Sequence, residues 1–375
     1  MAKRLQSLSV SGFKALSDVH IPRLADINLF VGKNNAGKTT ILEAISLLLC
    51  RDLRTRLYAL LVERGELSVN RWQNNSRRAS LSVTDPSFSV TDVSFEALFN
   101  GRPELTPDLK FKIFGEQDDP DLEIGFVWLR QERREDASVT YLPSNGPEVD
   151  IDAIPGFSIR RKSLIGLLPL DRINRMFARR ASREVPDTNV VFIRSSGMSM
   201  EEIGKIWDSV ALTDDEDHVV EALRIIVPSL EKLVMIQSPE SRSERVLMAK
   251  VAEFRWPVPF KSLGEGALHL LSIALATIHA RGSMLLIDEI ASAIHYSVQP
   301  KIWELIYRQT QNYDVQVFAT THSWDCVRAL HRSDGGPDLP QAALHRLERS
   351  LEAVKVVSFF GDELQTIDAE EIEVR

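Results

Sequence analysis

Cysteine is nearly absent from this chain of 375 residues, which carries Cys50 and Cys326 alone. Neither belongs to a C-x-x-C pair, so the sequence excludes a disulfide framework and offers no thiolate pair for zinc or redox chemistry. Apolar runs are short. No stretch approaches the roughly 18 uninterrupted apolar residues of a membrane-spanning helix, and Met1 to Val10 leads into a strand-like pattern instead of a signal peptide. Sustained heptads, internal repeats and low-complexity tracts are missing too, which excludes a long coiled-coil arm. Positive charge is in the minority: 45 Lys and Arg against 53 Asp and Glu give a net charge of −8, unlike a protein coated all over with nucleic acid. With 44% hydrophobic residues the chain has enough apolar surface for one large or two modest domains. These features predict a soluble, cytoplasmic protein with no membrane partner.

What is present is concentrated in a few short runs. Gly32-Lys33-Asn34-Asn35-Ala36-Gly37-Lys38-Thr39 is a complete G-x-x-x-x-G-K-[ST] phosphate loop, set between an apolar strand, Ile27 to Val31, and an amphipathic helix, Thr40 to Leu49. Glycines at 32 and 37 let the backbone curl so that successive N–H groups point at phosphate oxygens, reinforced by the helix N-terminus. In that geometry Lys38 reaches the β- and γ-phosphates of a nucleoside triphosphate and the Thr39 hydroxyl ligates Mg²⁺. Residues Gly32 to Thr40 are therefore the expected ATP-binding segment.

The second half supplies complementary chemistry. Met284-Leu285-Leu286-Ile287-Asp288-Glu289 is an apolar strand ending in two carboxylates, a Walker B pattern, in which Asp288 holds Mg²⁺ and Glu289 acts as general base on the attacking water. Val315 to Ser323 reads as another buried strand leading into polar residues, with His322 placed either to sense the γ-phosphate or to cap the following helix. Lys261-Ser262-Leu263-Gly264-Glu265-Gly266 precedes an apolar-periodic helix, Ala267 to Ala280, and gathers a hydroxyl and several N–H groups at a helix start, a second anion site.

In this order the motifs resemble the Walker A, signature, Walker B and H-loop of ABC-type ATPases. More narrowly, the chain resembles the AAA-family ATP-binding proteins related to the OLD and RecF groups, many of which occur in bacterial phage-defence and toxin–antitoxin loci. The supporting stretches are Leu8 to Lys14, the phosphate loop, Lys261 to Gly266, His295-Tyr296-Ser297-Val298-Gln299, Thr321 to Asp325 and the closing Ile372-Glu373-Val374-Arg375; residues between about 50 and 190 contribute little. The resemblance implies an α/β fold, an ABC-type P-loop ATPase head with a mixed sheet and a compact inserted lobe. It further implies a composite site in which Lys38, Thr39, Asp288, Glu289 and His322 of one subunit face Ser262, Gly264 and Gly266 of a second, so that ATP clamps a homodimer or larger assembly and hydrolysis reopens it. Two departures stand out. Ala291-Ser292-Ala293-Ile294-His295 replaces the usual Glu-Asn-Gly-Leu-His of the D-loop, which predicts weaker coupling or turnover, and Ser-Leu-Gly-Glu-Gly replaces a transporter-type Leu-Ser-Gly-Gly-Gln.

The expected organisation is a discontinuous head, residues 1–50 and 190–375, around an α+β lobe of residues 51–189 that partly belongs to the head. Residues 1–50 are read as two strands, the phosphate loop and its helix. Capping boxes Ser199…Glu202 and Thr213…Glu216 introduce two helices. Arg160, Arg161, Lys162, Arg172, Arg175, Arg179, Arg180 and Arg183 form a basic concentration that suits either a phosphate backbone or acidic partner, or a solvated face beside the acidic run Asp214 to Asp217. Arg51, Arg54, Arg56, Arg64, Arg71, Arg77 and Arg78 form a looser set, and no base-reading motif accompanies either. Phe13 reads as core, Lys14 as a candidate neighbour of the nucleotide, His295 as either site-proximal or packed, and Gln73 and Gln131 as alternative Q-loop residues. Three functions follow: an ATPase subunit controlling a separate effector in phage defence or a toxin–antitoxin pair; a RecF-like clamp with sequence-independent DNA binding; or a full OLD-type nuclease. About fifty residues after His322 are too few for the nuclease domain that the third requires.

Overall fold

The computed structural model describes residues 4–68, 92–115, 122–134, 138–161, 164–173, 190–238, 244–332, 341–350, 353–361 and 363. Two sheets enclose the phosphate-loop helix. The first has the strand order Val190–Ile193, Met284–Ile287, Gln316–Thr320, Ile27–Val31, Ala342–Arg349, Val354–Phe360, parallel throughout except for the last, which returns as a hairpin. Its central strands are buried at every residue, so they read as mainly apolar runs without alternation, with Asn28, Gln316 and Thr320 as buried polar exceptions. The alternation is nonetheless there in space. Leu29, Val31, Leu285, Ile287, Val317 and Ala319 enter one core with the helices Met200–Val210, Asp214–Leu223, Glu265–His279 and Gln299–Tyr313, whereas Phe30, Leu286 and Phe318 enter the other, against the phosphate-loop helix.

The second sheet is antiparallel, in the order Leu164–Pro169, Ile154–Arg161, Leu122–Arg133, Lys110–Phe114, Leu8–Phe13, Leu16–Ile21, with Val139–Ser144 added to the far end of Leu122–Arg133. The N-terminal segment holds three strands, because Leu16–Ile21 folds back on Leu8–Phe13 before the phosphate-loop strand begins. Segments expected to lie in head and lobe are thus hydrogen-bonded into one sheet. Phe13 is fully buried and packs on Phe111 across that junction, with ring centroids 4.9 Å apart.

Between the sheets lies Lys38–Leu49, ten of whose twelve residues are buried. A helix buried on nearly all sides, its Glu43 neutralised by Lys14 and Arg64, suits only such a central position. Its last turn carries no basic residue of its own, and the chain leaves it in extended conformation at Cys50. The missing positive charge comes from the antiparallel sheet: the Arg161 guanidinium donates to the carbonyls of Cys50 and Leu47, each at 2.9 Å, and to that of Leu48 at 3.2 Å. Of the two expected capping boxes, Ser199…Glu202 forms with both reciprocal bonds. The second does not, because the Thr213 hydroxyl turns back to the Val210 carbonyl and the Glu216 carboxylate accepts from the Leu212 N–H instead.

A buried polar network ties the phosphate-loop strand to its neighbour. Asn28 bonds the Ala25 N–H and carbonyl, both at 2.8 Å, and its Oδ1 lies 3.2 Å from His345 Nε2, while Ser358 Oγ lies 2.8 Å from His345 Nδ1. The His345 imidazole therefore donates through Nε2 and accepts through Nδ1. Burial holds its pKa down, at about 3 against an ordinary 6.5. The folded state stays neutral where the unfolded chain takes up a proton, so stability is lost as pH falls from 6.5 towards 3, by about 1.4 kcal/mol per unit at most.

Two stability predictions follow from these contacts. Thermal or urea denaturation of Arg161→Ala should show a loss of roughly 1–3 kcal/mol, since three carbonyls lose a charged donor; unchanged stability contradicts the capping role. Melting temperature should fall from pH 7 to pH 5, and the fall should be smaller in His345→Gln; an equal slope in both proteins removes His345 from the account.

Candidate nucleotide site

The phosphate loop leaves the end of Ile27–Val31 under tight steric control. Gly32 has φ +147°, and a Cβ there would lie 2.6 Å from the Leu347 carbonyl oxygen, a contact only glycine permits. Gly37, at φ +100°, turns the chain into the helix, whose first turn has neither a side-chain cap nor an acidic residue. Its N–H groups and dipole face the loop. Lys33, Asn34 and Asn35 form an exposed apex, Ala36 and Thr40 are buried, and the buried Lys38 ammonium lies over its own loop, donating to the carbonyls of Gly32 at 2.9 Å and Lys33 at 3.3 Å. Burial pushes its pKa below the ordinary lysine value, while Glu289 and Asp288 pull it back up.

The carboxylates stand at the end of Met284–Ile287, beside the loop because strands 27–31, 316–320 and 284–287 are parallel and adjacent. This is where open parallel sheets place their ligands. Asp288 Oδ1 accepts from the Thr39 hydroxyl at 2.9 Å and from the Thr320 hydroxyl at 2.7 Å, and the Asp288 N–H bonds the Ile193 carbonyl. Glu289 takes a left-handed backbone, φ 57°, with its N–H held by Thr320 Oγ1 at 2.8 Å. Its Oε2 lies 2.8 Å from Nδ1 of His322, which is 67% exposed. The strand before His322 ends at Thr320, and the following helix, Trp324–Arg332, is capped by Ser323, not by the histidine.

Lys38, Thr39, Asp288, Glu289 and His322 thus meet in one place. Ser262, Gly264 and Gly266 do not join them: among the described residues no hydrogen bond links this run to the phosphate loop. Ser262 and Gly264 are exposed. Gly266 lies against the D-loop, where a Cβ would stand 2.5 Å from the Ala293 carbonyl oxygen. Thr320 opens the run that resembles the H-loop, yet nothing in the sequence assigned a role to its hydroxyl, and sequence reasoning missed Arg349, which donates to the Asn35 carbonyl at 2.9 Å.

Other candidates fall elsewhere. Lys14 is engaged by the buried Glu43 at 3.1 Å, with Arg64 on the other Glu43 oxygen at 2.8 Å. His295 is exposed and caps the short turn that follows it, accepting from the Ser297 N–H. Gln131 is on an exposed strand end, and Gln73 lies outside the described residues. Lys162, Arg175, Arg179, Arg180, Arg183, Arg71, Arg77, Arg78 and Ile372 to Arg375 lie outside them also. Of the remaining basic residues, Arg56 is buried against Ser46 and Glu63, Arg64 serves Glu43, and Arg161 caps a helix. The acidic run is engaged through Asp215, by Arg281 and Tyr313.

Residues 27–325 match the family described as "AAA domain, putative AbiEii toxin, Type IV TA system", most of the chain and every element of the site up to Asp325. The chain belongs to this family. It is an AAA-domain ATPase. Its sequence is 21% identical to an ATP/GTP phosphatase of Helicobacter pylori over 384 aligned residues, covering 96% of this chain and 97% of the relative. A DNA replication and repair protein RecF of Saccharophagus degradans is 43% identical over 60 residues, 16% of either chain. The fold of this ATPase is that of an ABC-type head: the SmcHead bound to the C-winged helix domain of ScpA superposes with a TM-score of 0.54 at 14% identity, covering 97% of this chain and 100% of that one. No described helix is long and apolar enough to cross a membrane.

The Thr320 hydroxyl orients both carboxylate residues, so Thr320→Val, which keeps the shape, should lower the rate of Mg²⁺-dependent ATP hydrolysis by roughly 10- to 100-fold in protein that still folds, with a modest loss of stability of about 1–3 kcal/mol from the freed Glu289 N–H. A steady-state assay showing the wild-type rate contradicts that role.

Proposed function

We propose that this chain is a Mg²⁺-dependent ATP hydrolase whose composite site closes between two copies. The observation that carries the reading is the continuous hydrogen-bonded path from Thr39 through Asp288 and Thr320 to Glu289 and His322. Gly32 to Thr40 cradle the triphosphate, with Lys38 donating to its terminal phosphates. The donor set beside it fits Mg²⁺. A hydroxyl and a carboxylate oxygen stand 2.9 Å apart, and among the described residues no cluster of three or more His, Cys, Asp or Glu builds an all-protein cage; Mg²⁺ favours such a partial oxygen shell completed by water and phosphates. Thr39 and Asp288 hold the ion, which when bound neutralises charge on the phosphate oxygens. Glu289 accepts the proton of the attacking water, and His322, bonded to the same carboxylate, fixes its orientation.

The exposed His322 edge leaves the shell open on one side, and the exposed Ser262-to-Gly264 run has no phosphate to bind within its own chain. A second copy presenting Ser262, Gly264 and the adjoining backbone satisfies both. The switch then controls a separate effector in anti-phage defence or a toxin–antitoxin pair, a reading supported by the family description. A RecF-like DNA clamp is the second reading, supported by the 60-residue match. The net charge of −8 and the internal engagement of Arg56, Arg64 and Arg161 weigh against it.

Light scattering and ATP binding on two variants test the reading. Lys38→Ala should lose ATP binding by at least 10-fold, and Glu289→Gln should keep ATP, lose at least 100-fold in hydrolysis and accumulate as a dimer with ATP and Mg²⁺. A Glu289→Gln protein with the same mass with and without ATP contradicts the clamp. Co-purification of a stoichiometric protein favours effector control; nuclease-sensitive DNA alone favours the DNA clamp.

A further inference from the structure

The strand Ala342–Arg349 runs parallel to the phosphate-loop strand and one step beyond it, pairing Arg346 with Val31, so that its last residues flank the loop. Two contacts fasten loop to strand end. The Leu347 carbonyl fills the space beside Gly32 that a side chain would need, and the Arg349 guanidinium donates to the Asn35 carbonyl at 2.9 Å. These grip opposite parts of the loop, its base and its apex.

Asn35 is the residue that needs such a grip. Its φ of 63° is left-handed, a conformation that asparagine tolerates better than most residues but that only glycine adopts without cost. It is exposed, and within the loop it is held by one turn bond, from the Ala36 N–H to the Lys33 carbonyl at 3.2 Å. Anion binding by the loop requires the peptide N–H groups to converge, and a peptide that flips at Asn35 turns its dipole away. The other end of that peptide is engaged too, the Ala36 N–H closing the turn on the Lys33 carbonyl, so a guanidinium on the outward Asn35 carbonyl opposes the flip from the opposite side.

We propose that Arg349 is a positioning residue for the phosphate loop: its bond to the Asn35 carbonyl pre-forms the left-handed apex and thereby raises affinity for the triphosphate. The inference rests on the nucleotide-binding reading above. Arg349 acts through the loop and not by direct contact with nucleotide, so its loss is carried in ground-state binding, and KM moves more than kcat.

The test is ATP affinity by isothermal titration in the presence of Mg²⁺, on the full chain. Arg349→Ala should weaken binding by roughly tenfold, the scale of one charge-assisted hydrogen bond. Asn35→Gly introduced into Arg349→Ala should recover at least threefold of that loss, since glycine takes the left-handed conformation unaided, and Asn35→Ala should deepen it. A guanidinium that contacts the nucleotide itself predicts no recovery with glycine, and that result overturns the proposal. If Arg349→Ala does not fold, Arg349→Met, which keeps the length of the side chain and removes every N–H donor, takes its place in the same series. Wild-type protein that fails to bind ATP, with Lys38→Ala indistinguishable from it, overturns the nucleotide reading; wild-type binding equal to that of Arg349→Ala overturns the positioning role alone.

Discussion

One carboxylate oxygen organises the site. Asp288 Oδ1 accepts from Thr39 at the start of the phosphate-loop helix and from Thr320 at the end of the neighbouring strand, joining three segments that are distant in sequence. The constraint works because the parallel strands end at the same level and because Asp288 itself is fixed by its N–H to Ile193. Buried and doubly hydrogen-bonded, the carboxylate is held in one orientation beside the phosphate loop. The left-handed Glu289 follows directly: its amide is tied to the same Thr320 hydroxyl, which turns its side chain towards His322.

The helix carrying Thr39 is also the link between the two sheets. Its apolar faces pack on both, Arg161 closes its C-terminal end from the antiparallel sheet, and Glu43 on its flank binds Lys14 from the turn of the N-terminal hairpin and Arg64 from the next helix. Charged contacts thus tie the phosphate-loop helix to the antiparallel sheet at Arg161, to the hairpin turn at Lys14 and to the next helix at Arg64.

The phosphate loop, the Asp288-Glu289 pair and the alternation of strand and helix were legible because each is a contiguous run whose chemistry demands fixed spacing. The ABC-type head follows from their order. Contacts made across strands were not legible: Thr320 and Arg349 carry no local pattern that separates them from any hydroxyl or arginine at a strand end. The seven-stranded sheet escaped for the same reason, since the pairing of Leu8–Phe13 with Lys110–Phe114 joins segments about a hundred residues apart. The Thr213 box failed on competition, because a threonine at that position had the Val210 carbonyl within reach. Gly266 read as an anion-binding glycine; the Ala293 carbonyl beside it gives a steric reason for the same residue.

The central claim is that one chain holds an incomplete hydrolytic site and a second copy completes it. The most direct measurement is the specific rate of ATP hydrolysis, with Mg²⁺ and saturating ATP, as the concentration of wild-type protein is varied across the range where light scattering shows monomers becoming dimers. The account predicts that the rate per chain rises with concentration and reaches a plateau as dimers form. A rate per chain that is constant from monomer to dimer contradicts it.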